Sequence, residues 1–467
     1  MTDSVLPATP PLRALRPSRP EARVMIALAT PLSLAFAAQM AIGVTDVVMM
    51  GWLGPADLAA GTLAANTLAL MFYFGMGVGT AVSHMIAHAL GARRVAEVRP
   101  TVQAGVLVAL ALALPFGLVA WWGEHVLLLL GQEAQTASRA AEYLRMAVWS
   151  LPANLVFVVL RNVAAAHSRP RAPLVIVVVA GLVNALANWG LMFGNFGLPR
   201  LELAGAGLAT SIATWTMALA MAAFLASDRR FRRYRFHRRL ERLRWRHARE
   251  LLVIGVPIGF AILAEMSMFS VTVFIAGLIS TGTLAAIAIA MQTSGIGFIV
   301  PFGIAQAATV RIGRAAGARD AAGIGTATAT AACIGLVWIV CASATIWFGA
   351  PLIVDGFLDL SDSATAPLVP IALGLLAITA IFQMFDTTQA IASGVLRGLK
   401  DTRVPMLYAV LGYWGIGLPA AILLAFPADL GGDGIWWGMT VGLAAASVLL
   451  VRRVAGRLGA GVNLRTG

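Results

Sequence analysis

A chain of 467 residues that is 59% hydrophobic and 12% charged, with a mean hydropathy of +0.84, is not a soluble globular protein. The net charge of +13 does not mark a nucleic-acid binder, because the basic residues lie in short stretches between apolar spans. The two cysteines, Cys333 and Cys341, sit in one apolar span, eight positions apart, so they cannot bridge each other and no disulfide framework is expected.

The first 23 residues are polar and rich in Pro and Arg, without a signal-peptide apolar region and cleavage site, and read as a disordered cytoplasmic tail. Hydrophobic windows then predict twelve spans, at 24–50, 57–83, 100–121, 139–165, 172–194, 203–226, 250–280, 283–310, 322–349, 366–395, 404–426 and 433–455. The expected organisation is an N-lobe at 24–226, a basic linker at 227–249, a C-lobe at 250–455 and a short cytoplasmic tail at 456–467. The fold class is all-α and integral to the membrane, with twelve transmembrane helices.

The loops predict orientation. After the even-numbered spans come Arg93, Arg94 and Arg99; Arg169 and Arg171; the run at 228–250; Arg311, Arg314 and Arg319; Arg397, Lys400 and Arg403; and Arg452, Arg453 and Arg457. The alternate loops carry Asp57; Glu124 and Glu133; Asp355, Asp359 and Asp362; and Asp429 and Asp433. Only Arg139 and Arg200 run against this pattern, so both termini and all basic loops are expected in the cytoplasm. The 228–250 run interleaves aromatics with arginines, as nucleic-acid binders do. A linker held against anionic lipid explains it better, and no nucleic-acid partner is expected.

The two halves repeat. PLSLAFAAQMAIGVTDVVMMGWLG from Pro31 matches PIGFAILAEMSMFSVTVFIAGLIS from Pro257, setting Gln39 on Glu265 and Gly51 on Gly277. The same offset carries Asn66-Thr67 onto Gln292-Thr293 and Gly91-Ala92-Arg93 onto Gly317-Ala318-Arg319; later, Pro173 matches Pro405 and Gly205 resembles Gly434. With six spans in each half the internal repeat is parallel, and sites at repeat interfaces are typical of secondary transporters.

Three acids lie inside spans. Glu265, near the middle of span seven, has no Lys or Arg within a turn, and facing lipid it would cost at least a few kcal/mol (about 2.5 or more). It reads either as part of a proton or cation relay or as a protonated seal between helices. Asp46 faces Thr272 in the repeat, so the fold itself does not demand an acid there. Asp386 shares one helical face with Gln383 and Gln389. In span five Asn184 and Asn188 are one turn apart, and the glycine-rich entry to span six offers Thr210. With Asp46 these form either a hard-oxygen cage for a small cation, a proton relay, or ordinary interhelical hydrogen bonds. His84 and His88, also one turn apart, have no evident third ligand and read as interfacial histidines rather than a zinc site. No nucleotide-binding loop is present; the chain is expected not to be an enzyme, to need no cofactor, and to use an ion gradient if any energy source.

Taken together, Pro31 to Asp46, the Asn184/Asn188 pair, GAGLATS, PIGFAILAE, PFGIAQAATVRIGRAAG and DTTQAIASGVLRGLKD resemble the multidrug and toxic compound extrusion (MATE) family over residues 24 to 455. Glu265 together with Asp386 looks like its NorM-type branch. The resemblance implies two six-helix lobes in a V around a central cleft, and antiport of Na⁺ or H⁺ against amphipathic, often cationic, compounds. It matches Asp46, Asn184, Asn188 and Thr210 to an N-lobe cation site and Glu265 and Asp386 to C-lobe acids. Gln39, Asn66, Gln292, Phe382, Gln383 and Gln389 are the candidate lining of a substrate cavity. Two places depart from the pattern: Ile287-Ala288 stands where span eight usually begins with His-Gln, and Phe382 where a Tyr often precedes the span-ten acid.

The resemblance further implies a monomer in a bacterial inner membrane, with small organic substrates and lipid as its partners. The alternative is a lipid-linked precursor flippase of the same superfamily. Those usually have extra spans and a cationic cavity, whereas here the expected cavity acids have no matching intramembrane Arg or Lys.

Overall fold

The structure is a computed structural model that describes residues 16–236, 245–358 and 367–459. The first fifteen residues, linker positions 237–244, Asp359 and Asp362 of one acidic loop, and the tail from 460 lie outside the described residues.

Among the described residues, eleven helices are long and apolar enough to cross a membrane, and one bent pair makes a twelfth span. In chain order they are α1 (Arg19–Leu53), α2 (Pro55–Gly91), α3 (Val98–Trp121), α4 (Ala134–Ala147 with Ser150–Ala166), α5 (Arg171–Phe193), α6 (Glu202–Ser227), α7 (Trp245–Ile279), α8 (Thr281–Gly317), α9 (Ala321–Phe357), α10 (Leu368–Gly398), α11 (Arg403–Ala425) and α12 (Gly431–Gly459). Each predicted span falls on one of them. Large apolar side chains stay exposed along them, such as Leu114 at 75% and Phe348 at 82%, as a lipid solvent requires and water would not tolerate.

Starts and breaks follow local chemistry. Ser280 caps α8 by accepting from the Thr283 amide at 2.9 Å, and Asp320 caps α9 by accepting from Gly323 at 2.8 Å. The 49° bend in α4 falls just before Pro152. That ring would strike the Val148 carbonyl in a continuous helix, so the chain breaks there and restarts with the proline in a first turn. In α11 a π-helical stretch, Leu411–Gly417, precedes Pro419, which cannot donate to Gly415.

The repeat is visible in the backbone. Arg93 and Arg319 both take left-handed φ, 58° and 57°, at the ends of α2 and α8. Ser168 and Lys400 do so at 59° and 60° after α4 and α10. At each of the four ends the next amide bonds a carbonyl five residues back: Arg94 to Ala89, Asp320 to Ala315, Arg169 to Ala164 and Asp401 to Leu396, at 2.8–2.9 Å. These are Schellman-type closures, held here by non-glycine residues.

The chain forms two compact units, one of residues 34–259 and one of residues up to 33 together with 260 onward. They divide inside α1 and α7, two residues beyond Pro31 and Pro257. The opening turns of α1 belong to the unit built from the second repeat, where Arg311 grips Glu21 through Nε at 2.7 Å and Nη2 at 2.6 Å. The opening turns of α7 belong to the unit built from the first repeat, with Gly255 against the Val78 backbone. Met50, Leu144 and Leu203 lie in the first-repeat core; Trp436, Phe382 and Leu376 lie in the second-repeat core.

The two arginines that run against the loop pattern are both paired. Arg139 Nη1 lies 2.8 Å from Asp57, and Arg200 Nη2 lies 3.3 Å from Glu202. Neither leaves a net positive charge at its end of the molecule.

Candidate functional site

The first-repeat unit gathers three predicted residues, Asn184, Asn188 and Thr210, around the Asp46 carboxylate. The glycines of LAGAGLATS make this possible. A Cβ at Gly205 would meet the Leu191 carbonyl of α5, and one at Gly207 would meet the Tyr143 carbonyl of α4, so α6 lies backbone-close to both helices. Thr210, one turn further on, then faces Asp46 of α1.

Asn188 donates through Nδ2 to Asp46 Oδ1 at 2.6 Å and to Asn184 Oδ1 at 3.2 Å. Thr210 Oγ1 lies 3.4 Å from Asp46 Oδ2 and 3.0 Å from the Ala206 carbonyl. Both asparagines are fully buried and Asp46 is 8% exposed. Tyr143, also buried, hydrogen-bonds with Thr210 and feels the charge of Asp46. No basic side chain among the described residues pairs with Asp46. Asn188 Oδ1 and Asn184 Nδ2 are buried with no partner in the protein. A carboxylate, two amide oxygens and a hydroxyl are hard-oxygen ligands, able to take a small cation or to pass a proton.

The second-repeat unit holds the other acids. Gln389 of α10 hydrogen-bonds the Glu265 carboxyl of α7, and Arg397, also of α10, interacts with it electrostatically. Asp386 is 4% exposed and interacts electrostatically with Glu265. Tyr413, in the π-helical stretch of α11, is close enough to feel both acids, and its hydroxyl has no partner. The neighbouring Trp414 donates to the Ala264 carbonyl at 3.2 Å, fixing α11 beside Glu265. Gln383 is fully buried and donates to Thr387 Oγ1 at 3.3 Å, with Oε1 unpartnered against Gly297.

The other cavity candidates scatter. Asn66 and Gln292 are exposed. Phe382 is a core side chain, 2% exposed, with its ring 5.6 Å from Trp436 and 6.2 Å from Phe269. Gln39 accepts from Arg161 Nη1 at 3.2 Å. His84 Nδ1 bonds the Thr80 carbonyl one turn back, at 2.6 Å. The expectation of no intramembrane Arg or Lys is corrected: Arg161 of α4 and Arg397 of α10 lie within spanning helices. The sequence reading sets Arg397 just past the end of span ten and gives Arg161, inside the predicted span 139–165, no place.

Three residues had no separate place in the sequence reading: Tyr143, Tyr413 and Arg161. Tyr413 carried a signal, a tyrosine between glycines just ahead of a span proline. Tyr143 carried none beyond its place in a span.

The MatE family profile matches residues 31–190 and 257–423. A probable multidrug resistance protein NorM of Mesorhizobium japonicum is 43% identical over 93% of this chain and 94% of its own length. A Pseudomonas aeruginosa protein of the same description is 37% identical over 92% of this chain and 88% of its own. Among solved structures, the eukaryotic MATE transporter AtDTX14 superposes with a TM-score of 0.83 at 21% identity, covering 96% of this chain and 98% of its own. A MATE protein crystallised with MaL6 superposes with a TM-score of 0.86 at 17% identity, with the same coverage of both chains. At those identities the likeness shows the fold.

Proposed function

The chain belongs to the MatE family, and from that premise we propose that it is a secondary active multidrug efflux antiporter, exporting amphipathic, mainly cationic, organic compounds in exchange for Na⁺ or H⁺. The observation that carries this reading is the buried Asp46 carboxylate, in a spanning helix and held by Asn188 at 2.6 Å with no basic partner among the described residues. A structural carboxylate in a membrane is normally neutralised by a base; one surrounded by neutral oxygens is suited to reversible binding of a cation. The names of the NorM relatives support the multidrug substrate range.

In this reading Asp46, Asn184, Asn188 and Thr210 bind the coupling cation in the first-repeat unit. Glu265 and Asp386 attract the cationic substrate in the second-repeat unit and release it when protonated or ion-filled. Exchange requires that ion and substrate not be held equally well in the same state, since only differential affinity shifts a conformational balance. The protein works as a monomer in a bacterial inner membrane, with both termini in the cytoplasm. Arg161 and Arg397 give the flippase reading the cationic groups it lacked, yet the twelve spans and the NorM relatives favour efflux.

The test is reconstitution into liposomes with a fluorescent organic cation, under separately imposed Na⁺ and pH gradients. Gradient-driven accumulation supports antiport and identifies the ion. Export indifferent to both gradients rejects it.

A further inference from the structure

The last turns of α12 build a pocket from arginines. Leu449, Arg452, Arg453 and Arg457 share one face of that helix. With Tyr408 of α11 they line a cavity of about 460 Å³.

One carboxylate positions two of the arginines. Asp401, in the turn between α10 and α11, is 6% exposed. Its Oδ2 accepts from Arg453 Nε at 2.9 Å and from Arg457 Nε at 2.8 Å, and Arg457 Nη2 lies 2.8 Å from the same oxygen. Both Nη nitrogens of Arg453 stay without a partner among the described residues. Arg452 makes no ion pair or hydrogen bond with any described residue. A single arginine would satisfy Asp401. Three arginines against one carboxylate leave an excess of two positive charges at the cavity.

The repeat shows that the fold does not require this charge. Carrying the match of Gly205 with Gly434 along the two helices sets Ala223, Phe224 and Asp228 in the places of Arg452, Arg453 and Arg457. The first repeat has an arginine at none of the three.

A second observation says what kind of anion fits. Leu407, Val410 and Leu411 of α11 and Val448 and Val451 of α12 are all exposed, and they flank the lining residues along both helices. On spanning helices such a surface faces acyl chains. Tyr408 belongs to both surroundings. Its ring packs against the buried cluster of Ala392, Leu396 and Leu450, and its hydroxyl has no hydrogen-bond partner among the described residues. The free guanidinium N–H groups match phosphate oxygens, and the hydroxyl adds one donor. Basic pockets between helices at the cytoplasmic face suit anionic headgroups. A soluble phosphate shares the head chemistry but leaves the apolar flank unused.

We propose that Arg452, Arg453, Arg457 and Tyr408 form a site for the phosphodiester headgroup of an anionic phospholipid, whose acyl chains lie along the exposed side chains of α11 and α12. The site stands apart from the residues proposed to bind ion and substrate, and it is independent of what the protein exports. It discriminates by net charge, since a zwitterionic headgroup brings an ammonium that the arginines repel.

The test is equilibrium binding of phosphatidylglycerol and of phosphatidylcholine, each with an NBD-labelled acyl chain, to the purified full chain in a non-ionic detergent, read by NBD fluorescence. The wild type binds phosphatidylglycerol about ten-fold or more tighter, as charged hydrogen bonds to a phosphate provide. Arg452→Gln, which breaks no printed contact within the protein, weakens phosphatidylglycerol and leaves phosphatidylcholine unchanged. Arg452→Lys keeps part of the preference. Arg229→Gln removes the same charge from an exposed place at the start of the linker and leaves both lipids as in wild type. Equal binding of the two lipids by the wild type, which needs no variant, overturns the proposal. So does a matching loss in Arg229→Gln, since net charge alone would then draw the lipid. Displacement of the labelled phosphatidylglycerol by an equal concentration of inorganic phosphate also overturns it, and assigns the pocket to a soluble anion.

Discussion

Asn188 and Asp46 are 142 positions apart in the chain and joined by a 2.6 Å hydrogen bond in a site where the asparagine is wholly buried. The bond fixes one carboxylate oxygen and turns the Asn188 carbonyl into the same space. Replacing Asn188 with Leu removes both donor and acceptor while keeping the branched shape, in a larger side chain. Leaving the buried carboxylate short of a donor costs about 1–3 kcal/mol. The expected outcome is a folded protein of lower thermal stability whose gradient-driven export falls at least about ten-fold, measured in liposomes against wild type. Undiminished coupled transport would mean that the cluster is structural.

Gly207 offers a test that touches no polar group. A Cβ there meets the Tyr143 carbonyl backbone, which cannot swing aside as a side-chain tip would. Gly207→Val therefore pushes α6 from α4 and carries Thr210 away from Asp46. Overpacking of this kind costs about 1–3 kcal/mol. Export should drop together with stability, whereas Gly456→Val, at a position with open space around it, should change neither. Wild-type behaviour of Gly207→Val would remove the close approach as the reason for glycine.

These sites were partly readable in the sequence. The Asn184/Asn188 turn spacing and the depth of Asp46 in its span were visible as pattern, because helical periodicity fixes which side chains share a face. What brings α1, α5 and α6 together is packing between segments far apart in the chain, and Tyr143 joins the cluster only through it. The α2 and α8 ends were legible as repeated Gly-Ala-Arg, and the structure gives them the same left-handed turn at Arg93 and Arg319. The break in α4 was not read, although Pro152 marks it. Arg161 was missed for a different reason: its position along the helix says nothing of whether the side chain turns towards the headgroups or back over Phe157.

Orientation makes a third prediction. Cys333 and Cys341, both within α9, are first replaced by Ser so that each introduced cysteine is the single thiol in its variant. Single cysteines at Glu133 and at Arg229 then report the two ends of the spans. A membrane-impermeant maleimide added to intact cells should label the Glu133 position and leave the Arg229 position unlabelled until the cells are opened. Labelling of Arg229→Cys from outside would invert the molecule, and with it the direction in which loops bearing Arg93 and Arg319 face the membrane charge.

The last prediction separates the acids of the two units. Asp46 sits among neutral oxygens, with no basic partner among the described residues, whereas Glu265 shares its surroundings with Asp386, Gln389, Tyr413 and Arg397. Two acids that repel each other bind one cation more readily than two, so Glu265 and Asp386 are suited to meeting a cationic substrate. Glu265→Gln removes one charge of that pair, and with it the carboxylate that Arg397 acts on. Its affinity for an organic cation should fall about ten-fold or more, and Asp386→Asn should do the same. Asp46→Asn should bind the organic cation nearly as well as wild type but no longer couple its export to the ion gradient. Glu265→Gln and Asp386→Asn should also abolish ion-driven export, with each variant purified as a folded monomer by size exclusion. Binding isotherms in detergent and transport in liposomes, made on the same preparations, check both halves. Full gradient-driven transport by Glu265→Gln would make that carboxyl a seal between α7 and α10, with the Gln389 hydrogen bond as its whole purpose.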